Sequence, residues 1–117
     1  MRLLTLAVAI GLGPVCAAAQ MPETGGDPAH GAALIRDYGC GACHQIPGIA
    51  DADGLVGPPL SNIGVRVYLA GMLRNTPDNL IFWLRHPQQV VPGNVMPDMG
   101  MSAPDARDIA AYLYTLR

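Results

Sequence analysis

Apolar residues recur at helical spacing in three stretches of this chain, and the intervals between them are rich in glycine, proline and aspartate. The first stretch opens at Asp27-Pro28, an N-cap followed by a proline at the first helical position, and carries Ala32, Ile35 and Tyr38 on through residue 38. Gly31 within it weakens the helix but lets another helix cross closely, and Gly39 ends the segment. The second opens at Thr76-Pro77-Asp78, with a cap, a proline and an acid in the first turn. Leu80, Ile81, Trp83 and Leu84 form its apolar face, and Pro87 stops it near His86. The third starts at Ser102, with Asp105 three residues on as in a capping box, and sets Ala106, Ile109, Ala110, Leu113 and Leu116 on one stripe of a helix over 103–116.

The intervals read as loops. Residues 20–26 are a loose, flexible N-terminal segment, 45–66 contain Gly57-Pro58-Pro59-Leu60, and 87–101 contain Met96, Met99 and Met101. A short helical turn is expected at 71–73. No stretch alternates with period two, so no strand is predicted and the class is all-α. There is no internal repeat, heptad or low-complexity tract.

At 117 residues the chain has the size of one domain. Residues 1–19 have the form of a secretory signal peptide: Arg2, an apolar run over 3–15, then Ala17-Ala18-Ala19 before Gln20. An uncleaved membrane anchor is the alternative, although Gly11, Gly13 and Pro14 interrupt a run barely long enough to span. Cys16 as a lipoprotein cysteine is disfavoured by Pro14-Val15 in front of it. Cleavage would leave 117 − 19 = 98 residues, of which 27–117 form the folded domain. So small a domain is marginal on its own core, and a large buried cofactor would supply the missing apolar volume. The formal charge is −2, and becomes −3 once Arg2 is lost. There is no lysine, which argues against nucleic acid as a partner and leaves any positive contact to arginine.

The candidate chemistry lies at Cys40-Gly41-Ala42-Cys43-His44. Two cysteines two residues apart, followed at once by histidine, are the attachment signature of a c-type haem. Each thiol adds across one vinyl group, so both sulfurs must reach neighbouring edges of one porphyrin. Gly41 and Ala42 would leave room for the macrocycle, and His44 would bind the iron. A redox dithiol, half of a zinc site and a structural disulfide compete with this reading. The first needs a βαβ pattern, the second another ligand pair, and the third a strained loop. The methionines of 87–101 matter here because a thioether is a soft, neutral iron ligand.

Taken together, these features resemble class I cytochromes c over nearly all of residues 27–117. The resemblance is carried by the Cys40–His44 pentapeptide, Gly57-Pro58-Pro59-Leu60, Pro87, Pro92-Gly93-Asn94-Val95-Met96 and a closing helix with Ala111-Tyr112-Leu113. It implies a small cytochrome c fold, three to five helices wrapped around one covalent haem c, with the terminal helices crossing at right angles. It implies thioethers at Cys40 and Cys43, iron between His44 and Met96, and a Pro58 carbonyl that fixes the His44 ring. Arg66 matches an arginine near a haem propionate, with a solvated surface arginine as the alternative. Trp83 matches an aromatic against the haem. Met99, and less so Met101, rival Met96, while His86 and His30 are expected at the surface. The leader and the absence of lysine make the chain similar to bacterial periplasmic members.

The expected function is that of a periplasmic electron carrier in a respiratory chain, not an enzyme. Its partners would be redox proteins such as a membrane oxidase or dehydrogenase, and it would be a monomer that touches a membrane only if the leader is retained. The alternatives are a haem enzyme or gas sensor whose methionine detaches, or a dedicated haem subunit of a membrane oxidoreductase.

Overall fold

The computed structural model describes Gly13 and residues 20–117. The leader expected over 1–19 otherwise lies outside the described residues. Among the described residues four helices follow one another: α1 (Pro28–Asp37), α2 (Pro77–Arg85), α3 (Pro87–Val90) and α4 (Ala103–Thr115). Single 3-10 turns occur at Cys40–Ala42 and Ile63–Val65, and a minimal antiparallel sheet pairs β1 (Tyr68–Leu69) with β2 (Leu73–Arg74). Among the described residues no helix is long and apolar enough to cross a membrane.

Capping side chains set the helix starts. The Asp27 carboxylate accepts from the backbone N–H groups of Ala29 at 2.8 Å and His30 at 3.3 Å. Thr76 Oγ1 accepts from Asn79 N at 3.3 Å, and Ser102 Oγ from Asp105 N at 3.2 Å. The Asp105 carboxylate also holds α1, accepting from Tyr38 Oη at 2.7 Å. Gly39, at φ 71°, turns the chain out of α1 into the cysteine segment.

The core is built on α4. Ala106, Ile109, Ala110 and Leu113 of its stripe are buried together with Tyr114, against Ile35, Leu80, Leu84, Ile63 and Leu69. Leu116 is only partly buried. Where α1 meets α4, a Cβ on Gly31 would fall 2.5 Å from the carbonyl carbon of Asp108, so only glycine permits this approach.

Three expectations are corrected. The molecule is not purely helical, and residues 71–73 form no helical turn. They belong to the β1–β2 hairpin, in which Tyr68 faces Arg74 and Leu69 faces Leu73. Ala70 and Gly71 have φ of 49° and 68°, the mirror-image turn conformation that suits a tight hairpin and excludes a right-handed helix. The Arg74 guanidinium lies 5.6 Å from the Tyr68 ring centroid, a cross-strand pair. Lastly, Pro87 ends α2 but also begins α3, where its missing N–H costs nothing at the first helical position, so 87–90 are not loop.

Candidate functional site: an apolar cleft lined by two cysteines, a histidine and a methionine

The cysteine segment leaves α1 through Gly39 and closes a 3-10 turn, with the N–H groups of Cys43 and His44 donating to the Cys40 carbonyl at 3.2 and 3.0 Å. Loop 52–57 laces along it: Gly54 N donates to Gly41 O at 3.0 Å and Gly57 N to Cys43 O at 2.8 Å. A Cβ on Gly41 would lie 2.7 Å from the Ala52 Cα. Gly41 therefore makes room for this loop, and neither it nor Ala42 is among the residues that line the cleft.

The cleft itself has a volume of about 440 Å³. Cys40, Cys43, His44, Pro58, Arg66, Trp83 and Met96, all singled out in the sequence, line it. Leu60, Ile63, Leu69 and Val95 complete an apolar wall. His44 Nδ1 bonds the Pro58 carbonyl at 2.7 Å, which makes Nδ1 the protonated nitrogen and leaves Nε2 as the basic one. Arg66 Nη2 donates to the carbonyls of Pro59 and Ser61, so its guanidinium is anchored to backbone at the cleft wall. Trp83 is half-buried, reaching the cleft from α2.

The three methionines separate by burial. Met101 is 4% exposed in the core and does not line the cleft; Met96 is partly buried and Met99 is 38% exposed, and both line it. His86 packs at a tilt of 50° against Phe82, with ring centroids 5.1 Å apart, and His30 bonds Asp108 at 2.7 Å; neither lines the cleft.

Cys40 and Cys43 are not joined in a disulfide. Among the described residues, no group of three or more His, Cys, Asp and Glu side chains could hold a metal ion. The only sheet among them is the antiparallel hairpin, which is not a βαβ unit. Burial pushes the Cys40 thiol up, keeping it neutral in an apolar surround. Two thiols, one imidazole with a free basic nitrogen and one thioether around an apolar cleft form a donor set suited to haem c.

Sequence reasoning missed three contributors. Gly57 packs against the His44 ring, where a Cβ would fall 2.7 Å from Nδ1. Asn75 ties loop to hairpin, its Nδ2 donating to the carbonyls of Ile63 at 2.8 Å and Arg66 at 2.9 Å. Gln88 bonds the methionine loop from α3. Gly57 stood inside a quoted motif and was within reach; isolated amides such as Asn75 and Gln88 carry no local signal.

Comparison with known proteins agrees with the geometry. The cytochrome c family model matches residues 28–117. Cytochrome c oxidase subunit 2 of Alkalihalophilus pseudofirmus is 38% identical over 88 residues, covering 74% of this chain and 25% of that protein. The same subunit of Bacillus sp. (strain PS3) is 36% identical over 64 residues, covering 53% of this chain and 18% of that protein. The chain thus spans a quarter or less of the length of these curated relatives. With a family match running from the start of α1 to the last residue and enclosing every residue of the cleft, the chain belongs to the cytochrome c family.

Proposed function

We propose that this protein is a single-haem electron carrier of the periplasm, exchanging one electron at a time with a membrane oxidase or a similar redox partner. The observation that carries the reading is the convergence of Cys40, Cys43, His44 and Met96 on one apolar cleft. Membership of the cytochrome c family implies covalently bound haem c with its iron. When bound, that group supplies a one-electron ferrous/ferric couple.

The chain's own residues do the rest. Cys40 and Cys43 would hold the group covalently, each through a thioether made by adding its Sγ–H across one vinyl group. His44 offers Nε2 to the iron, held in that tautomer by the Pro58 carbonyl on Nδ1. Met96 offers a soft, uncharged sulfur that favours ferrous over ferric iron and so raises the reduction potential. Leu60, Ile63, Leu69 and Trp83 keep water from the cleft, which also disfavours the more highly charged ferric state. Arg66 supplies a positive charge at the wall for a propionate. With His44 and Met96 both holding the iron, no position would be left for a substrate, which favours a carrier over an enzyme. The oxidase subunits among the relatives support a membrane oxidase as partner. The signal-like residues 1–19 support export, with a monomer as the working form.

The test is spectroscopy of the purified holoprotein. The haem should resist denaturing electrophoresis and acid–acetone extraction, and the ferric form should show the weak far-red band of sulfur ligation. Ready binding of carbon monoxide by the ferrous form at neutral pH would overturn the carrier reading in favour of an enzyme or sensor.

A further inference from the structure

We infer that Gln88 and Asn94 are positioning residues for Met96, clamping both backbone polar groups of that residue between two side-chain amides and so setting how readily its sulfur leaves the iron. The inference rests on the proposed ligation by Met96.

The Met96 N–H donates to Asn94 Oδ1 at 2.7 Å, and the Met96 carbonyl accepts from Gln88 Nε2 at 2.7 Å. Each amide has further bonds. Gln88 Nε2 also donates to the Asn94 carbonyl at 2.8 Å, and Gln88 Oε1 accepts from Gly93 N at 3.0 Å. Asn94 Nδ2 donates back to α3 and its C-cap, to the carbonyls of Pro87 at 3.0 Å and Val91 at 2.7 Å. Gln88 N donates to Asp98 Oδ1 at 3.4 Å. The helix thus holds the loop through Gln88, and the loop holds the helix through Asn94. Among the described residues, no corresponding bond engages the backbone of Met99.

The loop needs such a device. Residues 91–101 have no regular structure, and Gly93 and Gly100 sit at φ of 79° and 66°. A methionine side chain has three rotatable bonds, so its sulfur is only as well placed as its backbone. Without the amides, the carbonyl and N–H of Met96 would be free to bond water instead, and the loop would open locally without global unfolding. The clamp therefore governs ligand detachment, whereas His44, held by Pro58, is anchored separately.

The experiment compares wild-type holoprotein with Met96→Ala, Gln88→Leu, Gln88→Glu, Asn94→Ala and Asn94→Asp. It reads the ferric far-red band, the rate of carbon monoxide binding to the ferrous form and the far-ultraviolet helix signal. Gln88→Leu should bind carbon monoxide about tenfold faster than wild type at an unchanged helix signal, having lost three hydrogen bonds. Gln88→Glu should behave likewise, because it keeps an acceptor for Gly93 but neither donor. Asn94→Asp, which keeps the acceptor for the Met96 N–H, should lie between wild type and Asn94→Ala. These two carboxylate variants carry the test if the apolar ones do not fold. A far-red band that Met96→Ala abolishes, with wild-type carbon monoxide rates in the Gln88 and Asn94 variants that fold, overturns the clamp and leaves the ligation reading standing. A band missing from the wild type, or surviving in Met96→Ala, overturns the ligation reading and the clamp with it.

Discussion

Gly57 and His44 are in contact so close that no other residue fits at position 57: a Cβ there would lie 2.7 Å from Nδ1 and 2.9 Å from Nε2 of the imidazole. The next residue, Pro58, supplies the carbonyl that bonds Nδ1 at 2.7 Å. Position 57 thus fixes where the ring lies, and position 58 fixes which nitrogen is free. Gly57→Ala should displace the imidazole from its carbonyl partner, destabilise the holoprotein by about 1–3 kcal/mol through overpacking, and lower the yield of attached haem. Thermal unfolding and a haem-stained gel check this; a Gly57→Ala protein with wild-type spectrum and melting temperature would contradict it.

The three methionines should give three phenotypes. Met96→Ala should lose the far-red band and lower the reduction potential. Met101→Ala should keep the band yet lose about 2–5 kcal/mol of stability, because that side chain is 4% exposed in the core. Met99→Ala, at the exposed rim, should change neither by much. Denaturant unfolding paired with the ferric spectrum separates the cases.

The pair His30–Asp108 joins α1 to α4 at 2.7 Å, and Asp108 Oδ1 also accepts from Asp27 N at 2.8 Å. The hydrogen bond to Asp108 raises the His30 pKa above its ordinary 6.5, and the bond to His30 lowers that of Asp108 below 3.8. A histidine raised on folding contributes stability that is complete below pH 6.5 and fades as pH rises through the folded value. A depressed aspartate contributes above its unfolded value and fades on acidification. The pair should therefore help most between about pH 4 and 6.5. The melting-temperature difference between wild type and His30→Ala, measured across pH, should be largest in that window and vanish well above it.

Tyr114 is 1% exposed, and its Oη donates to Asn75 Oδ1 at 2.9 Å. Burial pushes its pKa up to about 12. Asn75 in turn holds the carbonyls of Ile63 and Arg66, two residues of the cleft wall. Tyr114→Phe should cost about 1–3 kcal/mol by leaving the Asn75 oxygen without its donor. Asn75→Ala should cost more, since it strands the tyrosine hydroxyl and two carbonyls together. An alkaline absorbance titration should show Tyr114 ionising late alongside Tyr38, which its hydrogen bond to Asp105 also raises, and Tyr114→Phe should remove the Tyr114 step while leaving that of Tyr38.

Local signals carried a large part of the architecture. Asp27, Thr76 and Ser102 each cap the helix that the pattern assigned to them, because an N-cap bonds within three residues and needs nothing from the rest of the chain. The α4 stripe was equally legible, since a period of 3.6 alone decides which side chains share a face. The pentapeptide at 40–44 was legible for the same reason: its chemistry lies in spacing along a few residues.

The remainder was settled by contacts between distant residues. The β1–β2 hairpin has two-residue strands, too short to show alternation, and exists because Leu69 buries itself in the core while Ala70 and Gly71 turn the chain. Met96, Met99 and Met101 are chemically identical, and three positions within six residues of one loop give no periodicity by which to rank them. Only the packing of that loop puts one in the core, one at the cleft and one at the rim. The amides of Gln88 and Asn94 acquire meaning in the same way, as do the missing Cβ atoms of Gly31 and Gly57. Each acts on a backbone or ring that the fold alone brings within 3 Å, and hydrogen bonding and exclusion at that range depend on three-dimensional proximity, which residue type does not encode.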